Sequence, residues 1–509
     1  MQLHVRKPLL ILALVLAASG CTPPLLSDQQ DWGEGVENFK SAELLSNADG
    51  RYAHWQAIGR VRVDGGRICS GSLIDTRGAN PESDGSAYVL TSGHCAKGDS
   101  NRYLVDTPAS GSVQFNFFHD TQSRQTSYTV KSIAWSTLRG RDIALLELDR
   151  TLGQLMDNGI MPLKLATQPL AVDSNVLVVG APVDNHLHRV ACPQEQAADV
   201  FEAGWTWIDQ LKNRCLDVTP GVSGSPVLDR YTNEIVAIIG TTTRDSGRSR
   251  CTLNTPCEVS NGNAVTLPAT NYATAITQLP ACFNDGHFSP RSNACMLGPV
   301  TNFEAAFGDV FLRILRDQNG EFIPLQWQQT FTTDQPFYRV KLARTPGDCA
   351  LVDNYGPVQT SLGNGADHAS HDLREGPGLY FMCIIGQQHK AGPASRWAAF
   401  NARIYYRWLL AEPVQTSPVY SVFEDSKDVF TVRPVGISPD LDLSRYQYKI
   451  GQPNTLDCYD TEGYQVVRPP LLDFQVPVAD GRKKVCLKTA DMAGNPSPIV
   501  DFQLPEQSH

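Results

Sequence analysis

Between positions 55 and 279, short apolar and β-branched runs alternate with polar turns. Residues 57–63, 72–74, 88–91, 143–146, 176–179 and 235–239 are such runs, rich in Val, Ile and Leu. Many short strands at regular spacing predict a barrel or a sandwich. Residues 273–279 read as a helix closing this part. The stretch from Cys282 to Cys295 reads as a small looped staple. Beyond it the pattern repeats. Tyr338-Arg339-Val340-Lys341, Asp348-Cys349, Tyr380-Phe381-Met382-Cys383 and Ala391-Gly392-Pro393 are followed by Tyr446-Gln447-Tyr448-Lys449, Asp457-Cys458, Lys484-Val485-Cys486 and Ala493-Gly494-Asn495.

These landmarks recur about every 100 residues, the size of an immunoglobulin-like sandwich. Residues 489–497 resemble the closing turn of bacterial immunoglobulin-like domains. Two such units, either spacers or a binding arm, are expected at 299–408 and 409–509. The N-terminus has a different pattern. Arg6 and Lys7 precede an apolar stretch, 8–18, of about 11 residues, which suits a signal peptide and is too short to span a bilayer. Ala18-Ser19-Gly20-Cys21 resembles the bacterial lipoprotein signal, with Ala18 where that pattern usually has Leu. The resemblance implies lipidation of Cys21, a signal over 1–21 and, with Thr22 next, an outer-membrane lipoprotein facing the periplasm or the cell surface. An ordinary cleaved signal peptide is the alternative. Polar residues 22–50 read as a tether or short pro-segment.

The chain of 509 residues is long enough for about three domains. Its 41% hydrophobic and 19% charged residues suit packed globular domains. A net charge of −10 and the absence of a Lys/Arg run argue against nucleic acid as a partner. Thirteen cysteines are an odd number. With Cys21 set aside, chain order pairs Cys69/Cys95, Cys192/Cys215, Cys251/Cys257, Cys282/Cys295, Cys349/Cys383 and Cys458/Cys486. Six disulfides imply an oxidising compartment. No Cys-x-x-Cys spacing suggests zinc, and His186, His188, His368 and His371 lie in turn-like contexts without a third ligand. No metal or cofactor is therefore expected.

Three segments carry candidate chemistry. Residues 88–95 form an apolar strand ending at His94 beside Cys95. Asp142 stands at the mouth of the apolar run 143–146. Ser223 sits in the glycine-rich turn Gly221-Val222-Ser223-Gly224-Ser225-Pro226. A serine hydroxyl needs a base within reach to act as a nucleophile, histidine titrates near neutrality, and a buried aspartate orients the imidazole. The backbone N–H groups of Gly221 and Ser223 are the candidate oxyanion donors.

In the order His, Asp, Ser, with Cys69 placed to staple the histidine loop, these segments resemble the chymotrypsin-like serine proteases over about residues 50–283. Ile68-Cys69-Ser70-Gly71-Ser72-Leu73-Ile74 and Asp142-Ile143-Ala144-Leu145-Leu146 add to the match, and Ser223-Gly224-Ser225-Pro226-Val227 is similar to the bacterial glutamyl-endopeptidase-like branch. The resemblance implies a mainly β fold of two antiparallel six-stranded barrels at 51–283, with the catalytic triad His94, Asp142 and Ser223 between them. Residues 284–298 are then a disulfide-stapled linker to the two sandwiches. It implies a serine endopeptidase acting on protein or peptide substrates through an acyl-enzyme. A vestigial homologue serving adhesion or scaffolding is the rival reading.

Two departures stand out. Val222 replaces the Asp that, in trypsin-like relatives, pairs with a newly cleaved N-terminus. Ser92-Gly93 replaces a pair of alanines, an exchange expected to be tolerated. For specificity, Asp217, six residues before Ser223, is the expected base of the primary pocket, with Ile239 and Thr241 in its walls. Arg or Lys, small or apolar residues, and Glu (through Arg244, Arg248 and Arg250) all stay open as the preferred side chain. Residues 299–509 are expected to be dispensable for hydrolysis of small peptides.

Overall fold

The computed structural model describes residues 29–504 except 79, 83, 97–102, 245–248, 293, 298–300, 305–308, 364–365, 413 and 469–471. The expected signal segment, with Cys21, and Arg248 lie outside the described residues. Among these residues no helix is long and apolar enough to cross a membrane.

A short strand, β1 (Glu43–Leu44), precedes two barrels. The first uses β2 (Ile58–Val63), β3 (Cys69–Leu73), β4 (Ser86–Thr91), β5 (Leu104–Pro108), β6 (Gly111–Phe115), β7 (Thr126–Thr137) and β8 (Ile143–Thr151). Its order β7-β6-β2-β3-β4-β8 closes because β8 also pairs with β7, and β5 extends β7 outside the ring. The second uses β9 (Asn175–Gly180), β10 (His188–Glu202), β11 (Trp205–Asn213), β12 (Pro226–Asp229), β13 (Ile235–Thr242), β14 (Cys257–Ser260), β15 (Asn263–Val265) and β16 (Asn271–Ala275). Here β11-β16-β13-β12-β9-β10 closes through the β10–β11 pairing. Both rings are antiparallel and six-stranded, as in a chymotrypsin-like double barrel. Closure removes sheet edges and leaves each apolar run buried on both faces, as in β8, where Ile143, Ala144, Leu145 and Leu146 are all inaccessible.

Three expectations are corrected. Residues 271–275 form strand β16 rather than part of a helix; β16 fills the slot between β11 and β13, with Tyr272 and Ala273 fully buried. A helix there would leave the ring open. Residues 29–50 are not a loose tether. Asp31 pairs bidentately with Arg230 at 2.8 and 2.9 Å, Phe39 N–H donates to Ala191 O, and β1 pairs with β10. The stapled stretch is not a free linker either. Cys282, Cys295 and Leu297 are buried in the same apolar cluster as Tyr88, Leu145 and Ile276.

All six disulfides join the expected pairs. The Cys192–Cys215 bridge ties β10 to the residues just after β11, and both cysteines are buried in the core of the second barrel. Cys215 is held there by its backbone as well: its N–H donates to Asn213 Oδ1 at 3.2 Å and its carbonyl accepts from Asn271 Nδ2 at 2.8 Å. Cys215 therefore closes the barrel wall and lines no part of the cavity described below.

The C-terminal half forms two further β units. In the first, Leu325–Thr333 alternates strictly: Trp327, Gln329, Phe331 and Thr333 face inward and the residues between them face water. That sheet packs on Phe337–Ala343, Gly378–Gln387 and Arg403–Leu410 around Trp327, Tyr380 and Tyr405. The second unit closes two smaller sheets over Val432, Tyr446, Val476 and Leu487.

The first unit also shares a core with the second barrel. Phe201, Val259 and the Cys251–Cys257 bridge pack with Phe381, Ala398 and Trp408. Backbone bonds cross the boundary between Gly262 and Arg344 (2.7 Å) and between Leu379 and Gly262 (2.8 Å). Arg141 reaches across from the residue before Asp142, donates to Phe400 O at 3.1 Å and lies over the Phe400 ring. Arg250 pairs with Asp440 at 2.8 Å. The division at residue 298 thus cuts through a continuous apolar cluster rather than between independent bodies. A chain ending at Leu297 is expected to expose Phe201 and Val259, bind a hydrophobic dye and lose thermal stability. A truncated monomer with an unchanged melting midpoint and no dye binding would contradict the shared core.

Candidate active site

His94 stands in the single helical turn Gly93–Ala96 that follows β4, and the Cys69–Cys95 bridge ties that turn to β3. The turn can approach this closely because residue 93 has no side chain: a Cβ there would lie 2.2 Å from Thr137 O. The preceding Ser92 hydroxyl donates to Ile239 O in the other barrel at 2.7 Å. The Ser-Gly pair is therefore fitted to its place, where the sequence suggested a neutral exchange.

Asp142 precedes β8 and is fully buried. Its Oδ1 accepts from the His94 backbone N–H at 2.9 Å and its Oδ2 faces His94 Nδ1 at 2.7 Å. Thr274 Oγ1 accepts from the Asp142 N–H at 3.3 Å. Gly240 leaves room beside the carboxylate, for a Cβ there would sit 3.1 Å from Oδ2. Burial pulls the His94 pKa down, but the charge and hydrogen bond of Asp142 outweigh it and raise the pKa above the ordinary histidine value.

Ser223 lies in the turn before β12. Gly221 (φ +96°) and Gly224 (φ +81°) flank it in left-handed conformations open to glycine. Space makes the same demand. A Cβ on Gly221 would meet Val183 N at 2.4 Å, and one on Gly224 would meet Thr91 Oγ1 at 2.2 Å. The turn is held from the first barrel by Ser70, whose N–H donates to Ser223 O (2.8 Å) and whose hydroxyl donates to Gly221 O (2.9 Å). Val222 is buried at 5% exposure among Val178, Val227 and Ile239.

His94, Gly221 and Ser223 line one cavity of about 410 Å³, with Ile239, Thr241 and Glu202 in its wall. His94 keeps 14% of its side-chain surface exposed there. Of the three residues expected in the primary pocket, Ile239 and Thr241 line this cavity and Asp217 does not. Its backbone is turned to φ +56°, its carboxylate accepts from Ala42 N–H at 2.7 Å, and it borders a separate cavity with Pro182 and His188. A sequence interval places the backbone without fixing where a side chain goes. Reasoning from the sequence missed Glu202, the last residue of β10, because no motif surrounds it. Cys69, His94 and Cys95 also form a cluster of metal-ligand types, but the two sulfurs are bonded to each other and offer no thiolate.

Residues 69–238 match the trypsin-like peptidase domain family. Similar solved structures include the thermostable serine protease AL20 from an extremophilic microorganism, at 14% identity over 44% of this chain and 92% of that one (TM-score 0.30). They also include the Rv3671c protease from M. tuberculosis in its active form, at 14% identity over 47% and 87% (TM-score 0.28). Human heparin binding protein is similar at 11% identity over 46% and 91% (TM-score 0.30). No curated protein matches the chain.

The His94–Asp142 geometry makes a prediction independent of turnover. NMR titration of the imidazole should give a pKa above 6.5 in the native protein. Asp142→Asn removes the charge and leaves the burial, so the pKa should then fall below 6.5. An unchanged value in that variant would refute the assigned coupling.

Proposed function

We propose that the chain is an exported serine endopeptidase, held to a bacterial membrane by lipid on Cys21, in which Ser223, His94 and Asp142 form the catalytic triad. The observation that carries the reading is the convergence of Ser223 and the Asp142-oriented His94 on one cavity between two barrels. Six disulfides support the exported compartment.

In this mechanism the Ser223 hydroxyl attacks the scissile carbonyl as neutral His94 takes its proton at Nε2. Asp142 accepts from Nδ1–H, fixes the tautomer and stabilises the imidazolium. The carbonyl oxygen acquires negative charge and is met by the N–H groups of Gly221 and Ser223, neither of which donates to another protein acceptor among the described residues. His94 returns the proton to the leaving amine, and water then enters by the same route to hydrolyse the ester on Ser223. Val222 gives a new amino terminus no carboxylate to pair with, so competence does not wait on cleavage at the N-terminus. The packing of residues 29–50 against the second barrel supports the same view.

A fluorophosphonate probe should label the native protein at Ser223. Ser223→Ala should abolish labelling and lower kcat on casein roughly a millionfold, the scale of triad knockouts in subtilisin, with the fold intact. Near-normal turnover by that variant would sink the assignment. Separately, Cys21→Ser should move the protein from the detergent phase to the aqueous phase. Intact-mass analysis finding an unlipidated mature N-terminus at another residue would overturn the anchor.

A further inference from the structure

We infer that Glu202, and not Asp217, is the specificity residue of the cavity beside Ser223, and that it receives the ammonium or guanidinium of a Lys or Arg side chain of the peptide substrate. The inference deepens the endopeptidase reading and rests on it.

Glu202 ends β10 at the tip of a hairpin that returns through Trp205 and Trp207, and it is 1% exposed. Asn254 N–H donates to its Oε1 at 2.6 Å. Burial pushes its pKa up to about 7, against the opposing pull of that N–H, the Thr241 hydroxyl and the charge of protonated His94, while Asp142 adds to the rise. Arg67 and Arg244 also line this cavity from exposed positions, and Arg244 feels the charge of Glu202, but burial outweighs that attraction. A carboxyl group is thus held inside a wall of the site without a fixed counter-charge strong enough to restore its ordinary acidity. A buried charge in that condition is costly until a partner arrives.

The cavity walls suit one particular partner. Trp207 and Ile239 are 3% and 2% exposed and present apolar surface, and Val218 and Trp205 continue it. A long aliphatic stem ending in a cation packs along such a wall and delivers its charge to the carboxylate. The volume of about 410 Å³ lies within the range of ligand-sized pockets, about 300–1,000 Å³, and admits a side chain of that length. A substrate carboxylate would instead enter beside Glu202 and meet repulsion.

The test compares two peptide substrates that differ only in Lys against norleucine, at the position found by profiling cleavage of a peptide library. The native protein should favour Lys or Arg at that position, and benzamidine should slow fluorophosphonate labelling of Ser223. Glu202→Gln should lower kcat/KM on the Lys substrate at least about 100-fold. It should leave the norleucine substrate and the labelling rate within about threefold, and abolish benzamidine protection. Equal losses on both substrates would make Glu202 structural and overturn the inference, as would a native profile enriched in Asp or Glu or showing no basic preference. If the Glu202→Gln variant does not fold, the native profile and benzamidine protection decide alone. Absence of fluorophosphonate labelling in the native protein would instead count against the endopeptidase reading itself.

Discussion

The site exists only while two barrels are held in register, and a few side-chain hydroxyls do the holding. His94 and Asp142 belong to the first barrel and Ser223 to the second. Ser92 donates across the seam to Ile239 O, and Ser70 spans it twice, to Gly221 O and to Ser223 O. Ser70 Oγ also accepts from Ala181 N–H at 2.9 Å. These groups are buried, so each bond is made in a low-dielectric setting where an unmatched partner is expensive. The same bonds fix the backbone of the serine turn. Seam and site are one structure, and glycines at 93, 221 and 224 provide the close approach that it needs.

The second barrel is held from its other side by the C-terminal half. The hairpin carrying Phe201 and Glu202 packs on Phe381, Tyr406 and Trp408, and Arg141 is drawn over Phe400. Two elements that touch the cavity or the residue before Asp142 are therefore supported by the first C-terminal unit. The unit acts as a buttress for the peptidase region, whatever else its outer surface does.

How much of this was legible follows from how local each signal is. His94, Asp142 and Ser223 each sit in a contiguous segment whose strand, turn and chemistry can be read together. Chain order identified all six disulfides, down to Cys192 with Cys215, because each bridge closes a short loop. The barrel strands were visible as apolar runs because closed barrels bury both faces. What stayed hidden depends on partners distant in sequence. Residues 271–275 are short and Ala/Thr-rich, and only the gap between β11 and β13 makes them a strand. Residues 29–50 bind through backbone groups, ion pairs such as Asp31 with Arg230 and Glu43 with Arg189, and a few scattered apolar side chains, Leu45, Trp32 and Val36, too irregularly spaced to make a hydrophobic period. Asp217 left its expected place and Glu202 entered the cavity wall unannounced because side-chain direction is a tertiary property: a left-handed backbone turns one outward, and a hairpin tip carries the other in.

The disulfides have a further consequence for biogenesis. Each one joins a cysteine to the next in the chain, with separations of 6 to 34 residues. A polypeptide threading out of a translocation channel exposes thiols one after another, so the first partner each odd-numbered thiol of the twelve meets is its native one. Oxidation in order of emergence leaves nothing to reshuffle. The cell then has to supply an oxidant and no proofreading of bridges.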